Sequence, residues 1–306
     1  MGSSKNLFSS SFFGVTIDDI DEANLIALGI PWDVSSSYRK GCAKAPTVIR
    51  QATSSELYNP YTEAGINIKD KWQIFDSKNV EISTNDAMNT RKEILATLSR
   101  IYDVKKNPRL LLLGGDHLIT YFCFYSLSQI GLFRDNRVGI IYLDAHPDLY
   151  YQYKGNMYSH ACVIRRIIDQ TKIKPSNIIQ VGVRASTKEQ RKFAKNAGIT
   201  TITTNEFQEK GTAATAYLIE KRFLPTIDQI YLSIDLDILD PAFAPGLGNP
   251  EPGGLTTRNI INFIQELSNL PIFAFDIVEL CPDYDQSNIT AFAAAKIIKE
   301  TLGVMN

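Results

Sequence analysis

Long apolar runs are missing from this 306-residue sequence: none approaches the roughly 20 residues needed to cross a bilayer. The opening MGSSKNLFSSSFFG has neither the basic start nor the extended apolar stretch of a secretory signal, and Asn6 stands where a myristoylation signal wants Ser or Thr; a cytoplasmic protein without membrane contact is expected. Cysteine is scarce. Cys42, Cys123, Cys162 and Cys281 lie far apart and form no CxxC, which argues against a zinc knuckle or a disulfide framework and for reduced thiols. No sign of charge dominates: 32 Lys and Arg face 33 Asp and Glu, for a net charge of −1, so the basic footprint of a nucleic-acid binder is missing. No Gly, Ser or Pro linker, charge block or internal repeat divides the chain, so residues 1–306 read as one domain with 1–20 as an N-terminal extension. What is present is ordinary for a folded protein, with 44% apolar and 21% charged residues.

Short runs rich in Ile, Val and Leu, each closed by Gly, Pro or Asp, read as buried strands over 24–32, 109–115, 138–146, 177–184, 229–237 and 271–280. Segments with helical spacing lie between and after them, over 86–102, 118–130, 159–170, 188–196, 256–267 and 286–301, with Thr256 and Ser287 as candidate N-caps. The alternation predicts an α/β fold: a three-layer α/β/α sandwich around a mostly parallel sheet. Ligands of open α/β sheets bind beyond the carboxyl ends of the strands.

Four of those ends carry polar clusters: Gly114-Gly115-Asp116-His117, Asp144-Ala145-His146-Pro147-Asp148, Asp235-Leu236-Asp237, and Glu279. If the strands stay extended, Asp144, His146 and Asp148 share one side, as do Asp235 and Asp237. An isolated Asp at a strand end is ordinarily a turn former or a helix cap. As a set, however, these residues include two of the chain's three histidines, and four carboxylates crowded into a crevice cannot all stay ionised without cations. Two adjacent divalent ions satisfy that requirement, one held by His117 and Asp148, the other by His146 and Asp237, with Asp144 and Asp235 bridging. Such a donor set suits Mn²⁺, with Co²⁺ or Fe²⁺ as alternatives.

At these residues the sequence resembles the ureohydrolase family of arginases and agmatinases. The motifs are GGDH (114–117), DAHPD (144–148), SIDLDILDPAFAPG (233–246), PEPGGL (250–255) and the strand ending in Glu279, in the family's order and spacing; GIPWDVSSSYRKGCAKAPTVIR (29–50) looks like its N-terminal segment. The resemblance implies an arginase-like fold, two Mn²⁺ per chain, and the ligands His117, Asp144, His146, Asp148, Asp235 and Asp237. It casts Glu279 as the carboxylate that orients a substrate guanidinium, Asp148 as a proton carrier and His160 as a proton shuttle. It also implies a small cationic guanidino substrate and a homo-oligomer, a trimer or hexamer.

The loop Gly155-Asn156-Met157-Tyr158-Ser159-His160 lacks the Ser that precedes Gly-Asn in arginases, and SHACVIRR and GLGNPEPGG look most like archaeal-type agmatinases. Hydrolysis of agmatine to putrescine and urea is therefore expected, with aminopropylagmatine, arginine, guanidinobutyrate and formiminoglutamate as alternatives. Leu118, Ala161 and Asn249 depart from the family's usual residues. Outside this chemistry stand a metallophosphoesterase, for which no Lys or Arg cluster adjoins the motifs, and a catalytically silent regulatory or binding subunit, against which all six ligand positions are intact.

Overall fold

The strands at the centre of the computed structural model are buried on both faces, which is why they read as continuous apolar runs. The structure describes residues 11–133 and 137–306. Its strands are β1 (Thr16–Ile17), β2 (Leu25–Gly29), β3 (Ile74–Asn79), β4 (Arg109–Leu113), β5 (Val138–Leu143), β6 (Ile178–Val183), β7 (Thr200–Thr203), β8 (Gln229–Asp235) and β9 (Ile272–Val278). They form one sheet in the order β1-β3-β2-β4-β9-β8-β5-β6-β7, and every neighbouring pair is parallel.

Side chains of each strand alternate between two apolar layers. Leu111 and Leu113 of β4 join Ile141, Leu143, Leu232 and Ile234 on one side; Leu110 and Leu112 join Ile140, Tyr142 and Tyr231 on the other. The first layer is closed by α1 (Ala45–Ala52), α6 (Thr204–Lys210), α7 (Thr212–Phe223), α8 (Thr257–Glu266) and α9 (Ile289–Val304). The second is closed by α2 (Ala87–Val104), α3 (Leu118–Gln129), α4 (Val163–Gln170) and α5 (Lys188–Ala197). The result is the three-layer α/β/α domain expected, with a wholly parallel sheet among the described residues. No helix among them is long and apolar enough to cross a membrane.

Residues 1–10 of the expected N-terminal extension lie outside the described residues. Of the remainder, Phe12 and Phe13 are fully buried and β1 pairs with β3. Five elements escaped the periodicity reading besides the two-residue β1. β3 carries Asp76, whose carboxylate takes two hydrogen bonds from the buried Arg50 of α1 (2.8 and 2.9 Å), so an ion pair interrupts the apolar signal of both elements. β7 is a Thr-rich edge strand, half buried and therefore polar, and α6 and α7 follow it with only Gly211 between them.

Caps were legible in one case and not in the other. Thr256 caps α8 in a reciprocal box with Asn259. Ser287, with φ +57°, does not cap α9; the Asp285 carboxylate does, accepting from the amides of Thr290 (2.8 Å) and Ala291 (2.9 Å), because a reversed turn brings it back over the helix start.

The order of strands sets β4, β9, β8 and β5 side by side at the sheet centre, so the four polar clusters emerge together from one edge. Gly115 hands the chain from β4 to α3 where Trp32 crosses: Asp116 N–H donates to Trp32 O (2.7 Å), and a Cβ on Gly115 would sit 1.8 Å from that oxygen. Gly115→Ala therefore forces two backbones apart. It is expected to lower stability by about 3 kcal/mol, the upper end for overpacking, seen as a lower urea midpoint with unchanged slope; an unchanged midpoint contradicts this packing.

Candidate metal centre and substrate pocket

The candidate ligands converge through turns rather than through strand alternation. β5 ends at Leu143, and Asp144 to Asp148 form a loop in which Asp148 takes φ +48°. β8 ends at Asp235, whose carboxylate accepts from Asp237 N–H (2.7 Å) and starts a 3₁₀ turn over Leu236–Ile238. The expectation that extended strands carry these side chains on one side is thus corrected. Short Asp-anchored turns aim them, since backbone amides at strand ends need acceptors that the carboxylates supply.

His117 Nδ1 lies 2.9 Å from Asp235 Oδ2, 3.1 Å from Asp144 Oδ2 and 3.7 Å from Asp148 Oδ2. His146 Nδ1 lies 2.8 Å from Asp237 Oδ2 and 3.4 Å from Asp144 Oδ1. Two groups result, His117/Asp144/Asp148 and Asp144/His146/Asp237, each with its donor atoms within 4.8 Å of one another and with Asp144 common to both. Asp235 stands beside the first group. Asp144 is fully buried, and its Oδ2 has no hydrogen-bond partner in well-formed geometry. A buried carboxylate oxygen so placed, among two imidazoles and three more carboxylates, fits a pair of divalent cations.

Electrostatics agree. Burial and the Asp144 charge push Asp148 up to about 7, and burial with Asp237 and Asp144 raises Asp235 well above the carboxylate range. Burial opposes charge on His117, yet the adjacent carboxylates of Asp144 and Asp235 raise it well above the ordinary imidazole value.

The supports around His117 were not singled out from sequence. Its Nε2 lies 2.9 Å from Ser233 Oγ, which donates to Asp276 Oδ1 (2.8 Å); Asp276 Oδ2 accepts from Thr120 Oγ1 and Tyr231 OH, both at 2.7 Å. Tyr142 stacks on the imidazole, with ring centroids 4.5 Å apart, and its hydroxyl donates to Asp148 Oδ2 (2.7 Å). Such partners fix ring orientation and leave Nδ1 facing the cluster. The available signal was a polar residue inside each apolar strand: Tyr142 in β5, Ser233 in β8 and Asp276 in β9.

Glu279 is buried with φ +66°. Its Oε1 accepts from His117 N–H (2.9 Å) and lies 2.8 Å from His160 Nδ1. His160 Nε2 contacts Ser37 Oγ (2.8 Å) and Ser37 N (3.1 Å). Burial disfavours charge on His160, but Glu279 outweighs it and pushes the imidazole up to about 9. Left-handed backbone at both Asp148 and Glu279 costs about 1–3 kcal/mol each. Of the three departures, Leu118 is wholly in the core, whereas Ala161 and Asn249 line the pocket, with Asn249 Nδ2 3.2 Å from His146 Nε2. All the candidate ligands, Glu279 and His160 border this one pocket of about 250 Å³.

Comparison with known proteins places this arrangement. The profile described as "Arginase family" matches residues 23–303. The chain is 30% identical to an agmatinase of Bacillus anthracis over 96% of both chains, and 30% identical to the proclavaminate amidinohydrolase of Streptomyces clavuligerus over 91% of this chain and 87% of that one. The crystal structure of formimidoylglutamase from Bacillus subtilis superposes with a TM-score of 0.87 at 26% identity, covering 99% of this chain and 94% of that chain. With a motif-bearing sheet edge, a shared pocket and this coverage in agreement, the chain belongs to the arginase family.

Proposed function

We propose that this chain is a ureohydrolase that binds two Mn²⁺ ions and splits the guanidino group of a small cationic substrate with water, releasing urea and an amine. The observation that carries the reading is the sharing of Asp144 between two donor groups at the floor of a pocket that also holds Glu279. His117 and Asp148 would hold one ion, His146 and Asp237 the other, and Asp144 and Asp235 both. When bound, the ions supply a water acidified toward neutrality.

The chain's own groups do the rest. Glu279, anchored through Oε1 by His117 N–H and His160, offers its carboxylate to the guanidinium N–H groups, a planar cation that wants a paired acceptor. Asp148 takes the proton released as the water attacks and passes it to the departing nitrogen, so the guanidinium and water become urea and an alkylammonium. His160, between Glu279 and Ser37, exchanges protons with the pocket.

Agmatine is the first candidate substrate, from the sequence motifs. The agmatinase and the proclavaminate amidinohydrolase are equally similar to this chain, at 30% identity each.

Three outcomes test the reading. Urea release from a panel of guanidino compounds should appear on loading with Mn²⁺; no urea from any of them rejects the activity. Mn²⁺ should raise the melting temperature in a concentration-dependent way, with about 2.7 kcal/mol gained at a hundredfold excess over Kd, and Asp144→Asn should remove most of the shift. Glu279→Gln should lower kcat/KM roughly ten- to hundredfold through loss of a charged hydrogen-bond acceptor while keeping the Mn²⁺-induced shift. Equal losses of both would make Glu279 part of the metal site instead.

A further inference from the structure

The second oxygen of Glu279 leads to two thiols that the proposed chemistry leaves unused. Oε1 is spent on His117 N–H and His160, whereas Oε2 accepts from the buried Cys42 Sγ (3.8 Å). Cys42 opens the short turn that leads into α1, and its thiol is also in hydrogen-bond contact with that of Cys281, two residues beyond Glu279 and past the end of β9. Cys281 is buried too; its Sγ donates to Lys40 O (3.0 Å) and its amide to Gly246 O (2.8 Å). Two distant parts of the chain thus bring a pair of sulfurs together against the carboxylate.

The pair lies one layer below the surface. Lys40 and Asp283 are exposed, and Gly41 beside them has no side chain: a Cβ there would meet Asp283 Oδ2 at 2.9 Å and Cys281 Sγ at 3.2 Å. Backbone alone covers the sulfur from that side, a cover that only a small oxidant passes. The four cysteines also differ in reactivity. Burial pushes Cys123 well up and Cys162 up to about 11, whereas the Cys42 thiol directed at Cys281 lowers it against the effect of burial. Thiolate is the form that reacts, so Cys281 is the attacking sulfur and Cys42, in contact with it, the resolving one.

We infer that Cys42 and Cys281 form a redox pair, converted by a peroxide into a disulfide that disables Glu279. The Cys281 thiolate attacks one peroxide oxygen and the O–O bond breaks, leaving a sulfenic acid on Cys281 and a hydroxide that takes up the thiol's former proton. Cys42 sulfur then displaces the sulfenic hydroxyl: the S–S bond forms as the S–O bond breaks, and the hydroxyl leaves as water with the Cys42 proton. Two thiols and one hydrogen peroxide become one disulfide and two waters. The new bond draws the sulfurs well inside their contact distance and removes the S–H that Glu279 Oε2 accepts. Leu280 alone separates Cys281 from Glu279, so the pull reaches the carboxylate. The loss of activity, unlike the disulfide itself, rests on the proposed ureohydrolase reading.

The test exposes the full chain loaded with Mn²⁺ to hydrogen peroxide, removes the oxidant and restores Mn²⁺. Remaining thiols are then blocked and mapped by mass spectrometry without reduction, while urea release is followed with agmatine, arginine and 4-guanidinobutyrate. The expected result is a peptide pair joined through Cys42 and Cys281 with Cys123 and Cys162 free, and kcat/KM lowered roughly tenfold or more and regained with dithiothreitol. Cys281→Ser keeps a hydroxyl for Lys40 O; it should release urea at the wild-type rate before peroxide and after it. Peroxide that leaves the two thiols free in the folded chain overturns the pair. A disulfide that leaves kcat/KM unchanged, or a loss equally large in Cys281→Ser, overturns the switch. A chain that gives no urea from any of the three compounds yet forms the disulfide reversibly rejects the ureohydrolase reading and upholds the redox pair.

Discussion

Three aspartates and two histidines packed around a fourth, buried aspartate, Asp144, create a charge problem on which the rest of the site depends. Asp144 Oδ1 faces His146 and Oδ2 faces His117, so the two halves of the cluster share it. Burial and neighbouring carboxylates push Asp148 and Asp235 up, and the carboxylates around them raise both imidazoles against the effect of burial. A shift of that kind is what a low-dielectric pocket imposes on crowded carboxylates. Two divalent ions relieve the same pressure and leave the carboxylates ionised.

The sheet exists, from the standpoint of the site, to hold that problem in place. β4, β9, β8 and β5 are neighbours, each buried on both faces, and each ends in residues too polar to continue inward. Asp276, wholly buried in the middle of β9, reaches Thr120, Tyr231 and Ser233, and through Ser233 it steadies His117. The core is therefore not apolar throughout: one carboxylate with satisfied hydrogen bonds connects two layers of the fold to the metal centre.

Much of this was legible in the sequence because the central strands are the most apolar and the site residues interrupt them at their ends. The α/β class, the six central and near-central strands and the set His117, Asp144, His146, Asp148, Asp235, Asp237 and Glu279 follow from those two features, His160 came only from the family resemblance of its loop, and the structure brings all eight side chains to one pocket. What escaped had local causes. β3 and α1 hide behind the Arg50–Asp76 pair, β7 is an edge strand of threonines, and the cap of α9 comes from Asp285 because Ser287 is turned to positive φ. The convergence itself was attributed to strand alternation, whereas the left-handed backbone at Asp148 and the turn at Asp235 produce it; such dihedrals leave no mark in a one-dimensional pattern.

The central claim is that Asp144 is shared between two cations. Anomalous diffraction at the manganese absorption edge, from crystals grown with Mn²⁺, tests it directly. Two anomalous peaks flanking Asp144, one beside His117 and Asp148 and the other beside His146 and Asp237, are the predicted result; a cluster with no peak, or a single peak that leaves one imidazole uncoordinated, would contradict it.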